Sequence, residues 1–427
     1  MEYILFAGYL ILFSWLVTKV KFFTRSGLTK AQLVIIFLLK VMAGILYGWV
    51  GIYYGNMAQM VDTWGFHYYS LAQYKLLQTN PSVYLTDIFY NPYAEGFYTF
   101  FSSDHSFWLN LQGNAMIKIL SVFDIFSFGN YYINAIFYVF LTFFGSMGIF
   151  RVMEHVFPGK KPALVLSVFF IPSFLFWVSG IHKEGIIFTG ISFVVYSIYF
   201  SIVQKKLTVK RSIGIAGGLL LIFIFRSFLL FTIIPAITAW MIATRFPARV
   251  LRVFVIVYLI FGILFFTTRY ISPRLDFPGA VIAKQQDFLR LQGGNSAITL
   301  KKMKPQAISF ITAMPHALIT SALRPFPADV QNVLSLGAVI EINLLLLSTI
   351  LFFIYPAKED RNPAFLYFCI FFSVATLLVI GYTVSIIGAI VRYRSVILPF
   401  LVVPMFALTD WRRVSKSLFN NRKNQLF

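Results

Sequence analysis

Residues 212–243 read SIGIAGGLLLIFIFRSFLLFTIIPAITAWMIA, two apolar runs (212–225 and 227–243) parted by Arg226. A helix rises about 1.5 Å per residue and a bilayer's hydrocarbon core is about 30 Å thick, which makes the stretch too long for one ordinary crossing and short for two. Pro235 offers a bend in the second half. A single kinked crossing would put the two flanks on opposite sides of a membrane. A hairpin would put them on the same side.

Basic residues decide between the two. Lys205, Lys206, Lys210 and Arg211 precede the stretch, and Arg245, Arg249 and Arg252 follow it. Further out, Lys19, Lys21, Arg25 and Lys30 separate the first two apolar runs, and Arg151, Lys160 and Lys161 follow the third. Lys358 and Arg361 occupy a later short loop, and the tail 410–427 carries Arg412, Arg413, Lys416, Arg422 and Lys423. Cytoplasmic loops of membrane proteins gather Lys and Arg, and with the hairpin all these groups fall on one side. The other apolar runs lie at about 3–18, 31–53, 131–150, 163–181, 184–203, 250–268, 333–354, 363–381 and 392–409. The expectation is an all-α polytopic membrane protein, one integral domain over 1–427. It has about eleven transmembrane helices (10–12), the N-terminus outside and the C-terminus in the cytoplasm. Glu2 stands where a signal peptide has a basic region, and no small-residue cleavage site follows, so the first run reads as a retained helix.

Composition agrees. The chain is 59% apolar and 12% charged, against about 25% charged in soluble domains. The net charge of +21 invites a nucleic-acid reading, but most of the Lys and Arg lie in the loops just named, where topology explains them; no nucleic-acid partner is expected. The single Cys369 excludes a disulfide framework and a thiolate metal cluster.

Two outer loops are long, which is uncommon without a function. The first, 54–130, has two basic residues (Lys75, Lys118) and five acids: Asp62, Asp87, Glu95, Asp104 and Asp124. Within it Trp64, Tyr68 and Leu71 recur at helical spacing over 62–78, and Met116, Ile119, Leu120, Phe123 and Phe126 do so over 114–128. Ser121 falls off that second face and Asp124 at its edge. Both segments read as juxtamembrane amphipathic helices. The second loop, 269–332, has eight basic residues and three acids.

Candidate chemistry collects on this outer side. Asp62, just beyond the second run and at the start of the first amphipathic helix, is placed to act as a general base on an acceptor hydroxyl. Equally, it can be an N-cap. In the His182-Lys183-Glu184 turn, Glu184 is a second acid and Lys183 a phosphate-attracting cation, or the two pair as boundary charges. Arg226, Arg324, Arg392 and Arg394 map to the same side. Arg matches phosphate bidentately, although each can also snorkel to head groups. Glu341, inside an apolar run, needs a partner such as Lys40 or one of these arginines. No phosphate loop, dinucleotide fingerprint, HExxH or CxxC is present, and five scattered histidines lack ligand spacing. No cofactor is legible, and a divalent metal has no ligand motif.

This arrangement resembles the GT-C superfamily of membrane glycosyltransferases, in which a membrane helix leads to a long outer loop with an early acid and two juxtamembrane helices, followed by further spans. Asp62 stands alone, without the family's frequent paired acid, and follows the second span instead of the first. The resemblance implies a bacterial inner-membrane enzyme that takes a sugar from a polyprenyl-phosphate-linked donor. It passes the sugar to a glycan, lipid or protein acceptor at the periplasmic face, with membrane lipids around it. By position, Asp62 would be the base, Lys183-Glu184 would belong to a second functional loop, and Arg324, Arg392 and Arg394 would meet the lipid phosphate. The segments Lys183-Glu184, Arg226-Ser227 and Arg324-Pro325-Phe326-Pro327 also look like short motifs of O-antigen or capsule polymerases, which use polyprenyl-diphosphate-linked units. A transporter or flippase of an anionic lipid or polysaccharide is the alternative from another class.

Overall fold

A computed structural model describes residues 2–53, 58–93, 106–291, 296–357 and 362–420. Glu95, Asp104, Lys358, Arg361, Arg422 and Lys423 lie outside them. Among the described residues the regular structure is helical, with two isolated β-bridges. The first helices are α1 (Glu2–Val17), α2 (Lys21–Thr24), α3 (Lys30–Tyr53), α4 (Ala58–Thr79), α5 (Pro81–Thr86), α6 (Phe107–Ser127) and α7 (Tyr131–Val156). Next come α8 (Lys161–Phe169), α9 (Pro172–Ser179), α10 (Lys183–Val203), α11 (Val209–Arg226), α12 (Leu230–Ala243) and α13 (Val250–Ile271). The chain closes with α14 (Phe277–Arg290), α15 (Ala307–Leu323), α16 (Val333–Ile354), α17 (Pro363–Thr383), α18 (Ile387–Ser395), α19 (Leu398–Ala407) and α20 (Trp411–Asn420).

This is a multi-pass membrane architecture. Among the described residues seven helical stretches are long and apolar enough to cross a bilayer, or nine if the bent pairs α8–α9 (55°) and α18–α19 (61°) each count as one. The expected eleven additionally counts α1, which has 16 residues, and treats 209–243 as two crossings, whereas by length it is one 35-residue stretch.

Contacts show how that stretch runs. α10 and α11 lie antiparallel, with Gly218 against Gly190 and Val194 and Gly214 against Ser197; a Cβ on Gly218 would sit 2.6 Å from the Gly190 carbonyl oxygen. Tyr199 is therefore level with the first turn of α11. A straight helix would carry Trp240 roughly 40 Å beyond that level. Instead the Trp240 ring lies 6.3 Å from Tyr199 and 5.4 Å from Phe365. The chain folds back at Arg226, where the backbone leaves helical geometry (φ −161°, ψ 73°) for a short 3-10 turn. The expected hairpin is present in these contacts, with Arg226 at its apex.

The first long loop is more than two surface helices. α4 and α6 pack on each other, and Asp124 is fully buried between them, accepting from Ser70 Oγ (2.7 Å) and Asn134 Nδ2 (2.6 Å). Ser121 is buried too, bonded to the Tyr84 hydroxyl. The two polar residues that spoil the amphipathic pattern thus fasten α4 and α5 to α6. The second long loop is likewise structured, since it holds α14 and the apolar α15, which lies along α17. Pro315 and His316 inside α15, behind the Lys301-Lys302-Lys304 run, mask its apolar character in the sequence.

Candidate functional site

Five segments converge at the hairpin apex. Glu184, on the first turn of α10, is fully buried and accepts from Arg226 Nη2 at 2.5 Å. Its other oxygen is hydrogen-bonded to Nδ1 of His182, itself 1% exposed. A buried carboxylate is tolerable only when paired, and the positive N-terminal end of α10 adds to that pairing. Beyond the imidazole, His182 Nε2 lies 3.4 Å from Asp62 Oδ2 and 3.3 Å from Arg392 Nη1, which is in turn 3.5 Å from Asp62. Arg392 Nε stands 3.7 Å from Glu184. Lys183, half-buried over the Phe66 ring at 5.7 Å, adds a third cation within reach of both acids.

Aromatic rings wall this cluster. Tyr47, Trp177 and Phe66 surround the His182 ring with centroids at 6.3, 6.3 and 6.1 Å. Arg226 stacks on Tyr393 at 3.9 Å, and the Tyr138 hydroxyl donates to the His182 carbonyl. Such walls exclude water and strengthen the charges inside. Asp62, 47% exposed, is where the cluster meets solvent. Burial acts to raise its carboxyl, but the His182 hydrogen bond and the charges of His182, Arg392 and Lys183 outweigh it and hold the group below the usual carboxylate range.

Comparison of the chain with family models, curated proteins and solved structures finds no match. The reading of the site therefore rests on its own chemistry. Among the described residues, three cations (Lys183, Arg226, Arg392) face two carboxylates, Asp62 and Glu184, leaving positive charge in excess there. Arg226 Nη1 and Arg392 Nε are buried N–H donors without a hydrogen-bond partner. An anion with several acceptor oxygens would satisfy both.

The structure brings Asp62, Lys183, Glu184, Arg226 and Arg392 together and leaves out Arg324 and Arg394. Arg394 is 2% exposed, and its Nη1 donates to the carbonyls of Ser321, Ala322 and Arg324 (3.0, 3.0 and 2.8 Å), closing the C-terminus of α15. Arg324 pairs with Asp329 at 3.2 Å. Nor is Asp62 an N-cap: α4 begins at Ala58, so Asp62 sits in its second turn. Glu341 makes no hydrogen bond to Lys40 or an arginine, although its charge acts on Arg394; it accepts from the backbone N–H and hydroxyl of Ser173, both at 2.6 Å, at the start of α9. His182 is the member that sequence reading passed over, and its signal was the His-x-Glu spacing at a helix start. Among the described residues, no group of three His, Cys, Asp or Glu side chains is arranged to hold a metal ion.

Proposed function

We propose that the cluster is the active centre of a GT-C-like glycosyltransferase, facing the periplasm in a bacterial inner membrane. The observation that carries this reading is the convergence of Asp62, His182, Glu184, Arg226 and Arg392 at one end of an apolar bundle. In the reaction an acceptor hydroxyl attacks the anomeric carbon of a polyprenyl-phosphate-linked sugar. The new glycosidic bond forms as the bond from that carbon to the phosphate oxygen breaks. Negative charge grows on the leaving phosphate and is met by the free N–H groups of Arg226 and Arg392. The acceptor's proton goes to Asp62. A carboxylate held at low pKa is a weak final base, and Asp62, 47% exposed, passes the proton on to solvent.

Topology supports the orientation. Lys161 donates to the Gly27 carbonyl and Arg151 to that of Phe22, which draws the first basic loop to the end of α7 far from the site. The basic groups flanking the hairpin share that end with Tyr199 and Trp240. That grouping fits a cytoplasmic face there and a periplasmic face at the site.

The test is turnover of a polyprenyl-phosphate-linked sugar by the purified protein, wild type against Asp62→Asn. Equal turnover by a folded variant removes Asp62 from the mechanism. A second reading, a polymerase acting on polyprenyl-diphosphate units, is favoured by the pair of arginines with unsatisfied donors. It predicts a product that lengthens in oligosaccharide blocks and activity that depends on Arg226 with Asp62→Asn silent.

A further inference from the structure

At the end of the molecule opposite the catalytic cluster, a cavity of about 910 Å³ opens between the start of α8, the end of α19 and the start of α20. Among the described residues, Arg412 and Arg413 bring two guanidinium groups to its wall, beside the carboxylate of Asp410. The remainder of the wall is largely apolar, including Leu166, Phe406 and Trp411. Leu166 is 52% exposed on a helix of a membrane-crossing pair, so the apolar side of the cavity looks toward the acyl region.

The cationic side is built, not a loose tail. The Trp411 indole N–H donates to the Phe406 carbonyl at 2.8 Å, and Val414 is 5% exposed. The Tyr355 hydroxyl donates to Ser417 Oγ at 2.9 Å, and the Asp410 N–H to the Tyr355 carbonyl at 2.8 Å. These contacts dock α20 on the bundle and hold Arg412 and Arg413 at the rim. Arg413 spends part of its charge on Asp410 at 3.2 Å, a solvent-exposed pair worth little by itself. Fixed cations above an apolar slot, with an indole at the boundary, are complementary to a molecule carrying a phosphate over hydrocarbon chains.

We propose that this cavity binds the phosphate headgroup of an anionic membrane phospholipid, with Arg412 and Arg413 on the phosphate and the acyl chains descending past Leu166 and Phe406. The site is separate from the glycosyl-transfer reading and does not depend on it.

The experiment is native mass spectrometry of the purified full chain titrated with phosphatidylglycerol, and in parallel with phosphatidylcholine of the same acyl chains. Phosphatidylglycerol should bind more tightly. The Arg412→Gln/Arg413→Gln variant should lose roughly twenty-five-fold in affinity, at roughly fivefold per cation. The Lys206→Ala/Lys210→Ala variant, with equal charge removed from the basic loop before α11, should keep wild-type binding. Should the double variant at the rim fail to fold, Arg412→Gln alone carries the test with an expected loss of about fivefold. Equal binding of phosphatidylcholine, or equal loss in the Lys206/Lys210 variant, overturns the proposal in favour of unspecific attraction. Displacement of phosphatidylglycerol by inorganic phosphate overturns it in favour of a soluble anion.

Discussion

Glu184 holds His182 by its Nδ1 and Arg226 by its guanidinium, one carboxylate oxygen to each, with no exposed surface of its own. It ties the turn before α10 to the apex of the hairpin. Replacing it with Gln leaves a buried arginine without its counter-charge, which typically costs about 3–5 kcal/mol. Glu184→Gln is therefore expected to lower the thermal unfolding temperature of detergent-solubilised protein and to abolish turnover. A variant as stable as wild type would show that the pair does not hold the hairpin to α10.

Asp62 behaves differently because it is half-exposed and its contacts are long, 3.4 Å to His182 and 3.5 Å to Arg392. Asp62→Asn should leave unfolding nearly unchanged and reduce turnover by about 10²–10⁴-fold, the range of general-base contributions. A fall in stability matching that of Glu184→Gln would recast Asp62 as a structural ion-pair partner.

The direction of the Asp62 shift gives a pH signature. Its folded pKa lies below the usual carboxylate value of about 3.9. Its contribution to stability is thus complete above that value and is lost as pH falls through the folded pKa. The stability difference between wild type and Asp62→Asn should stay constant from neutral pH to the ordinary carboxylate range and shrink only below it. Solvent screening at a half-exposed group keeps the difference small. A difference that fades already between pH 7 and 5 would mean that the carboxyl is not stabilised in its ionised form.

What the sequence revealed and what it hid divide on physical lines. The hairpin at 212–243 was legible because charge asymmetry reports topology even where hydropathy is ambiguous. The amphipathic helices were legible from their period, but the burial of Ser121 and Asp124 was not, because it depends on partners at Ser70, Tyr84 and Asn134 on other helices. Convergence of Asp62, Glu184, Arg226 and Arg392 could be suspected from shared sidedness, whereas contact among them is a property of packing. The helix α15 was hidden by local composition. Arg324 and Arg394 looked equivalent to Arg392 because sequence position does not reveal which way a side chain points. On one helix, residues 392 and 394 point about 200° apart.

Docking of α15 against α17 can be tested where backbones touch. A Cβ at Gly381 would lie 2.0 Å from the carbonyl oxygen of Ala317, a backbone atom that cannot swing aside. Gly381→Ala must push the two helices apart, at about 1–3 kcal/mol or more. It should lower the unfolding temperature and speed proteolysis in 269–306, the segment that leads into α15. An unaffected variant would mean that α15 does not pack there.

The two neighbouring arginines give the sharpest contrast. Arg392 reaches His182 and Asp62. Lys in its place preserves the charge but loses the planar fork that can serve imidazole, carboxylate and phosphate together. Arg392→Lys should therefore unfold close to wild type while its specific activity falls by about 10²-fold, as for loss of one transition-state donor. Arg394 gives its Nη1 to three carbonyls at the end of α15. Lys cannot reproduce that geometry, and Arg394→Lys should cost about 2–3 kcal/mol, the scale of charge-assisted hydrogen bonds. Its activity per folded molecule should stay near wild type, because α15's terminus and not the reacting phosphate is its partner. Measuring thermal unfolding and specific activity on both variants separates the roles. If activity per folded molecule falls equally in the two, Arg394 belongs to the site and its carbonyl contacts are secondary.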